Sequence, residues 1–204
     1  MRHSREFEAL IHSLKVAVAT LRDREVPFVL GGSLAAWARG GPEPQNDLDL
    51  MVKPADADTA LNALADAGMR IERPPEEWLY KAWCGDVMID LIFSPSGLEL
   101  TDEVIARADT IPVAAVATPV MALDDLLVTM LCAIDEHALD YSRVVAIARA
   151  LREQIEWPQL EGRTAHSPYA LAFFTLVRGL GIAPAGRGGP RAGPSRVRVL
   201  PSAG

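Results

Sequence analysis

Val26-Pro27-Phe28-Val29-Leu30-Gly31-Gly32-Ser33 and, beyond Leu34–Asn46, Asp47-Leu48-Asp49-Leu50-Met51-Val52 are the two runs whose reading decides the fold of this chain. The first is a short apolar segment stopped by a glycine pair. Ser33-Leu34-Ala35-Ala36-Trp37-Ala38 then has the composition of a helix opening on a serine cap. This reads as strand, glycine turn, helix. The Gly- and Pro-rich loop Gly40–Asn46 follows, and the second run alternates acid with apolar residue until Pro54 closes it. It reads as a strand with one polar face.

Working outward, Ala57, Ala60, Leu61, Leu64 and Ala67 fall at helical spacing, and Gly68 stands where a helix stops. Trp78–Trp83 and Val87–Phe93 are β-rich and joined by Cys84-Gly85-Asp86, a hairpin signature that puts Asp90 in mid-strand. Ile111–Val116 predicts one more strand. Beyond it the pattern turns helical over Ala122–Glu136, Asp140–Ile155 and Ser167–Leu180, with Asp124 and Asp125 complementing the dipole of the first of these helices. The N-terminal stretch before Val26 reads as a charged amphipathic helix. The expected fold is α/β (α+β): a mixed, twisted sheet of four or five strands with flanking helices over residues 1–118, and a C-terminal helical bundle over 119–180. Residues 181–204, rich in Gly, Pro and Arg, are expected to be a disordered tail.

At 204 residues the chain can bury a proper core without disulfides or metals as staples. Half of it is hydrophobic, yet no apolar run approaches the roughly 18–20 residues of a membrane span, so no membrane partner is expected. Acids and bases interrupt the N-terminus where a secretory signal would be apolar, which predicts a cytoplasmic protein. Cys84 and Cys132 lie far apart, and His3, His12, His137 and His166 make no zinc spacing. The net charge of −7 understates the acidity of the body, because Arg187, Arg191, Arg196 and Arg198 lie in a tail with no acid. Such a body argues against a broad nucleic-acid-binding face.

A glycine turn at a helix start, two carboxylates one residue apart and a third on a later strand belong together in phosphoryl or nucleotidyl transfer. The turn lets a phosphate approach the backbone N–H groups of Gly31 and Gly32, and the Ser33 hydroxyl adds a donor. Asp47 and Asp49 point to the same side of their strand while Leu48 and Leu50 pack behind them. Two such carboxylates repel unless a cation lies between them, and hard oxygen ligands suit Mg2+. Asp90 on an adjacent strand would complete a second metal position or accept the proton of an attacking hydroxyl.

These residues resemble the minimal pattern of the DNA polymerase β-like nucleotidyltransferase superfamily, in its small bacterial members. The pattern is an apolar strand with Gly-Gly-Ser (Phe28–Ser33), then Asp-x-Asp (Asp47–Asp49), then a later Asp in Ile89-Asp90-Leu91. The resemblance implies Mg2+-dependent transfer of a nucleoside monophosphate from a nucleoside triphosphate such as ATP to an acceptor hydroxyl, with a two-metal site. It implies that Asp47 and Asp49 hold the metals, that Asp90 helps to activate the acceptor, and that Gly32 with Ser33 grips the terminal phosphates. Leu123-Asp124-Asp125-Leu126-Leu127 resembles the start of the helix after the sheet in bacterial members. Met130 stands where many of them carry a lysine. Lys81 is the substitute cation this reading names, with Arg39 and Lys53 behind it. The acceptor stays open among the 3′ end of a tRNA, a small molecule such as an antibiotic, and a protein hydroxyl. A likeness to nucleotidyltransferase toxins adds an antitoxin as a candidate partner.

Each piece also has an ordinary reading. The glycine turn is a common strand-to-helix connection, Asp47 and Asp49 would suit an exposed edge strand, and Lys81 would suit a solvent-facing position. His137 and Asp140, candidates for a catalytic role, read as surface and capping residues, and Trp78, Tyr80 and Trp83, which could stack on a base, read as core. Asp90 is hardest to explain without a partner, because a carboxylate in Val87-Met88-Ile89-Asp90-Leu91-Ile92 is costly. Competing functions are a phosphatase with an Asp-x-Asp nucleophile, a sugar transferase, and a non-catalytic module that binds nucleotide or a partner.

Overall fold

The computed structural model describes residues 2–44 and 47–185. Helix α1 (Arg2–Asp23) leads into β1 (Phe28–Leu30), α2 (Gly32–Ala38) and β2 (Asp47–Val52). After a single 3-10 turn come α3 (Ala57–Asp66), β3 (Arg70–Glu72), β4 (Leu79–Cys84) and β5 (Val87–Ile92). Helix α4 (Asp102–Ala106), the hairpin β6 (Asp109–Val113) and β7 (Val116–Val120), and helices α5 (Leu123–Cys132), α6 (Ser142–Ala150), α7 (Trp157–Thr164) and α8 (Pro168–Gly179) complete it. No helix among the described residues is long and apolar enough to cross a membrane.

The sheet is mixed, as expected, but has seven strands in the order β3-β4-β5-β2-β1-β7-β6. Two strands escaped the sequence reading. Three-residue β3 is too short to show a period. The run Ile111–Val116 is not one strand: it folds back at Ala114-Ala115, both with positive φ (47° and 69°), so that Val113 pairs with Val116. Alanine is an unusual occupant of a tight hairpin turn that glycine and asparagine enter without strain. Replacing Ala114-Ala115 with Asn-Gly should therefore stabilise the protein by about 1 kcal/mol, read as a higher unfolding midpoint.

Leu48, Leu50, Ile89 and Leu91 are fully buried, alternating with the half-buried Asp47, Asp49, Met88 and Asp90. Helices α1 and α3 contact β2, β4 and β5, and their apolar stripes (Leu10, Leu14, Val18 and Leu21; Ala60, Leu61 and Leu64) are buried in the same core. One sheet face is thus sealed and the acids fall on the other. The core continues without a break into α5, α6 and α8 through Leu126, Leu127, Ile147, Phe173 and Phe174.

The helical part differs from expectation at its ends. α5 stops at Cys132 rather than at 136, and Asp135 Oδ1 accepts the N–H groups of His137 and Ala138 in the turn that follows. α6 opens at Ser142 with Tyr141 at the cap position, and Asp140 Oδ1, one residue earlier, accepts the Ser142 N–H at 2.8 Å. Helix α7, with a proline in its first turn and Gly162 inside it, had no readable period. Asp125 does more than complement a dipole. It is 1% exposed and takes Arg163 at 2.6 Å and Arg107 at 3.0 Å, tying α7 and the end of α4 to α5. Of the expected tail, Gly181 ends α8 with positive φ and Ile182 is buried, while 186–204 lie outside the described residues.

Candidate active site

Strands β2 and β5 run parallel, with Asp49 paired to Asp90 and Asp47 to Met88. On the other side of β5, Lys81 of β4 pairs with Asp90 in the antiparallel ladder. Directly paired residues share a face, so Asp47, Asp49, Asp90 and Lys81 lie together on the face left open by α1 and α3. Lys81 Nζ donates to Asp90 Oδ1 at 3.3 Å and approaches Met88 Sδ at 3.5 Å.

The glycine turn meets this row from β1. Gly31 N–H donates to Asp49 O at 2.9 Å, and Gly32 has a φ of +55°. A Cβ on Gly32 would stand 1.6 Å from Asp49 Oδ2, so only glycine lets the turn close over that carboxylate. Ser33 is not the helix cap that its sequence suggests. Gly31 holds the cap position, and Ser33 is buried in the first turn of α2.

Burial, and then the nearby Asp47 and Asp90, push the Asp49 carboxyl up to about 7, while Arg143 pulls the other way. Asp90 is also raised by burial, with Lys81 opposing. Arg143 is pulled down by burial, while Asp47 and Asp49 favour its charged form. Asp47 Oδ1 is buried and has no hydrogen-bond partner among the described residues. Among the described residues no group of three His, Cys, Asp or Glu side chains is gathered as a ready-made metal cage. Of the chain's own cations, Lys81 is bonded to Asp90 and Arg143 lies within electrostatic reach of Asp47 and Asp49.

A model of a protein family described as "Uncharacterised nucleotidyltransferase" matches residues 13–178. The chain belongs to this family. No curated protein matches the sequence. Among solved structures, the nucleotidyltransferase is similar to antibiotic-resistance factor ANT(2'')-Ia in solution, with a TM-score of 0.57 at 17% identity over 89% of this chain and 97% of the other. It is also similar to ANT(2'')-Ia in complex with adenylyl-2''-tobramycin, with a TM-score of 0.56 at 16% identity over 80% and 98% of the two chains. The lincomycin-bound lincosamide antibiotic adenylyltransferase LnuA matches with a TM-score of 0.50 at 13% identity over 72% and 97%. At these identities the likeness shows that the fold is shared.

Two cations considered from the sequence are committed elsewhere in the nucleotidyltransferase. Arg39 donates to Met121 O and Asp109, and Lys53 donates to Asp102 at 2.7 Å. His137 is exposed, with Glu136 beside it. Tyr80 packs on Phe93, Trp83 lies under Arg70 at 3.5 Å, and Trp78 is largely exposed. Met130 packs against the core. Arg143 was missed. An arginine in a polar helix turn, far along the chain from Asp49, carries no local signal of where it points.

Proposed function

We propose that this nucleotidyltransferase moves a nucleoside monophosphate from a nucleoside triphosphate such as ATP to a hydroxyl of a small-molecule acceptor such as an antibiotic, with Mg2+ as its metal. The observation that carries the reading is the pairing of Asp49 with Asp90 on parallel strands, with Gly32 closed against the Asp49 carboxylate. Such a row joins a phosphate-accepting turn directly to carboxylates. The donor set fits a hard cation. Asp47 has an orphaned buried oxygen, and burial with Asp47 and Asp90 nearby makes Asp49 resist ionisation despite Arg143.

In this reading Asp47, Asp49 and Asp90 are the metal ligands, and bound Mg2+ would offset the negative charge of the phosphates. Gly32 and Ser33 take the triphosphate through backbone N–H groups and the hydroxyl, while Gly31, whose N–H is held by Asp49 O, shapes the turn. The acceptor oxygen bonds to the α-phosphorus as the bond to pyrophosphate breaks, and Asp90 receives the acceptor proton. Lys81 holds Asp90 in place and tunes its readiness for that proton. Residues 1–118 carry this machinery and residues 119–180 close it on the acceptor side. The small-molecule acceptor is favoured over a tRNA end or a protein because the matched structures include adenylyl-2''-tobramycin and lincomycin complexes.

The non-catalytic module has one observation in its favour, since Lys81 and Arg143 already lie near the acids. Incubation with Mg2+, labelled nucleoside triphosphates and a panel of aminoglycosides, lincosamides and total RNA separates the two. Transfer of label with release of pyrophosphate, abolished by Asp49→Ala, is the expected result. Triphosphate binding without transfer to any acceptor would favour the module.

A further inference from the structure

The start of α6 is braced. Asp140 Oδ1 accepts the Ser142 N–H, the Tyr141 hydroxyl donates to Tyr169 O at 2.9 Å, and Tyr141 stacks on Phe173 of α8. Arg143, the second residue of the helix, is therefore carried on a fixed element. Its Nε and Nη2 are buried, and neither finds an acceptor among the described residues. Asp47 Oδ1 is buried and finds no donor among those residues either. Yet Arg143 is within electrostatic reach of both Asp47 and Asp49.

Unmet donors on a buried guanidinium are costly, and so is an unmet carboxylate oxygen. The two orphans are opposite in charge and do not satisfy each other. An anion alone would meet Arg143 and be repelled by Asp47 and Asp49. A bare divalent cation would meet Asp47 and be repelled by Arg143. A ligand that brings anionic oxygens and a cation together satisfies both, and a metal-bound triphosphate is such a ligand. We propose that Arg143 is a phosphate ligand of the nucleoside triphosphate, donating from Nε and Nη2 to the phosphate chain from the helical side of the site. Lys81, the other cation beside the acids, is engaged by Asp90. The inference rests on the nucleotide-binding reading above.

The test titrates the full chain, with Mg2+, against α,β-methylene triphosphate analogues of the four ribonucleosides and against the free nucleosides. Wild type, Arg143→Met and Arg143→Lys are compared, and their thermal unfolding is followed without ligand. Arg143→Met is expected to lose triphosphate affinity by roughly 10- to 100-fold, with nucleoside affinity unchanged and Arg143→Lys in between. Its unfolding midpoint is expected to equal or exceed that of wild type, because an unsatisfied buried charge has been removed. Wild-type triphosphate affinity in Arg143→Met, or a parallel fall in nucleoside affinity with a lower midpoint, overturns the assignment and leaves the function standing. A wild-type protein that binds no triphosphate overturns both. If Arg143→Met does not fold, Arg143→Lys decides, since losing the two-pronged contact must weaken triphosphate and spare nucleoside.

Discussion

Asp49→Asn is expected to lower nucleotidyl transfer by a factor of about 10³ or more while making the nucleotide-free protein more stable at pH 8. The two effects share one cause. Burial, Asp47 and Asp90 push the Asp49 carboxyl up to about 7, so the folded protein holds that proton more tightly than the unfolded chain, where the ordinary value is 3.8. Between those values the folded state binds more protons, and stability falls as pH rises, reaching its full loss above about 7. Asparagine is neutral throughout and escapes that cost, which is on the order of 4 kcal/mol. The unfolding midpoint of Asp49→Asn should therefore exceed that of wild type by roughly 8 to 16 °C at pH 8, with the gap closing as pH falls toward 4. Mg2+ with nucleotide should reverse the order, since ligand bound to the ionised carboxylate stabilises only the wild type. A wild type as stable as the variant at pH 8 would sink this account of Asp49.

Gly32→Ala should damage the site far more than Gly31→Ala, although the two glycines are neighbours. At Gly32 the added Cβ falls 1.6 Å from Asp49 Oδ2 and 2.5 Å from its Cγ, on a backbone with a φ of +55°. Alanine there bears about 1–2 kcal/mol of left-handed strain and must also push the carboxylate aside. A displacement of about 1 Å at a reacting centre costs on the order of 10²-fold in rate, and that is the loss expected in transfer. Gly31 has an extended φ of −113°, and its Cβ would meet Met51 Cε at 2.6 Å, the far end of a flexible side chain that can swing away. Gly31→Ala should keep transfer within about tenfold of wild type. Equal losses in the two variants would show that the contact with Asp49 is not what Gly32 provides.

Much of this site was legible because it is written in local periods. Asp47-Leu48-Asp49-Leu50 announces one polar and one sealed face, and Ile89-Asp90-Leu91 marks a carboxylate where an apolar residue belongs. The elements that escaped lacked a local signal. Ala114-Ala115 makes a turn without turn residues, β3 is too short to alternate, and α7 contains Gly162. Ser33 looks like a cap because it follows a glycine pair, but Gly32 already lies within the helix. Asp125 reads as a dipole partner, and its two arginines arrive from elements that sequence distance hides.

By itself the sequence determined which residues are acids on a strand, where the glycine turn stands and which faces are apolar, because those follow from a repeat of two or about 3.6 residues along the chain. Only the tertiary structure decided that Asp49 pairs with Asp90, that Gly32 rests against Asp49, and that Arg143 lies near Asp47 and Asp49. Those are relations between segments far apart in the chain. Strand register and helix docking set them by burying one shared core, and no local pattern encodes that choice.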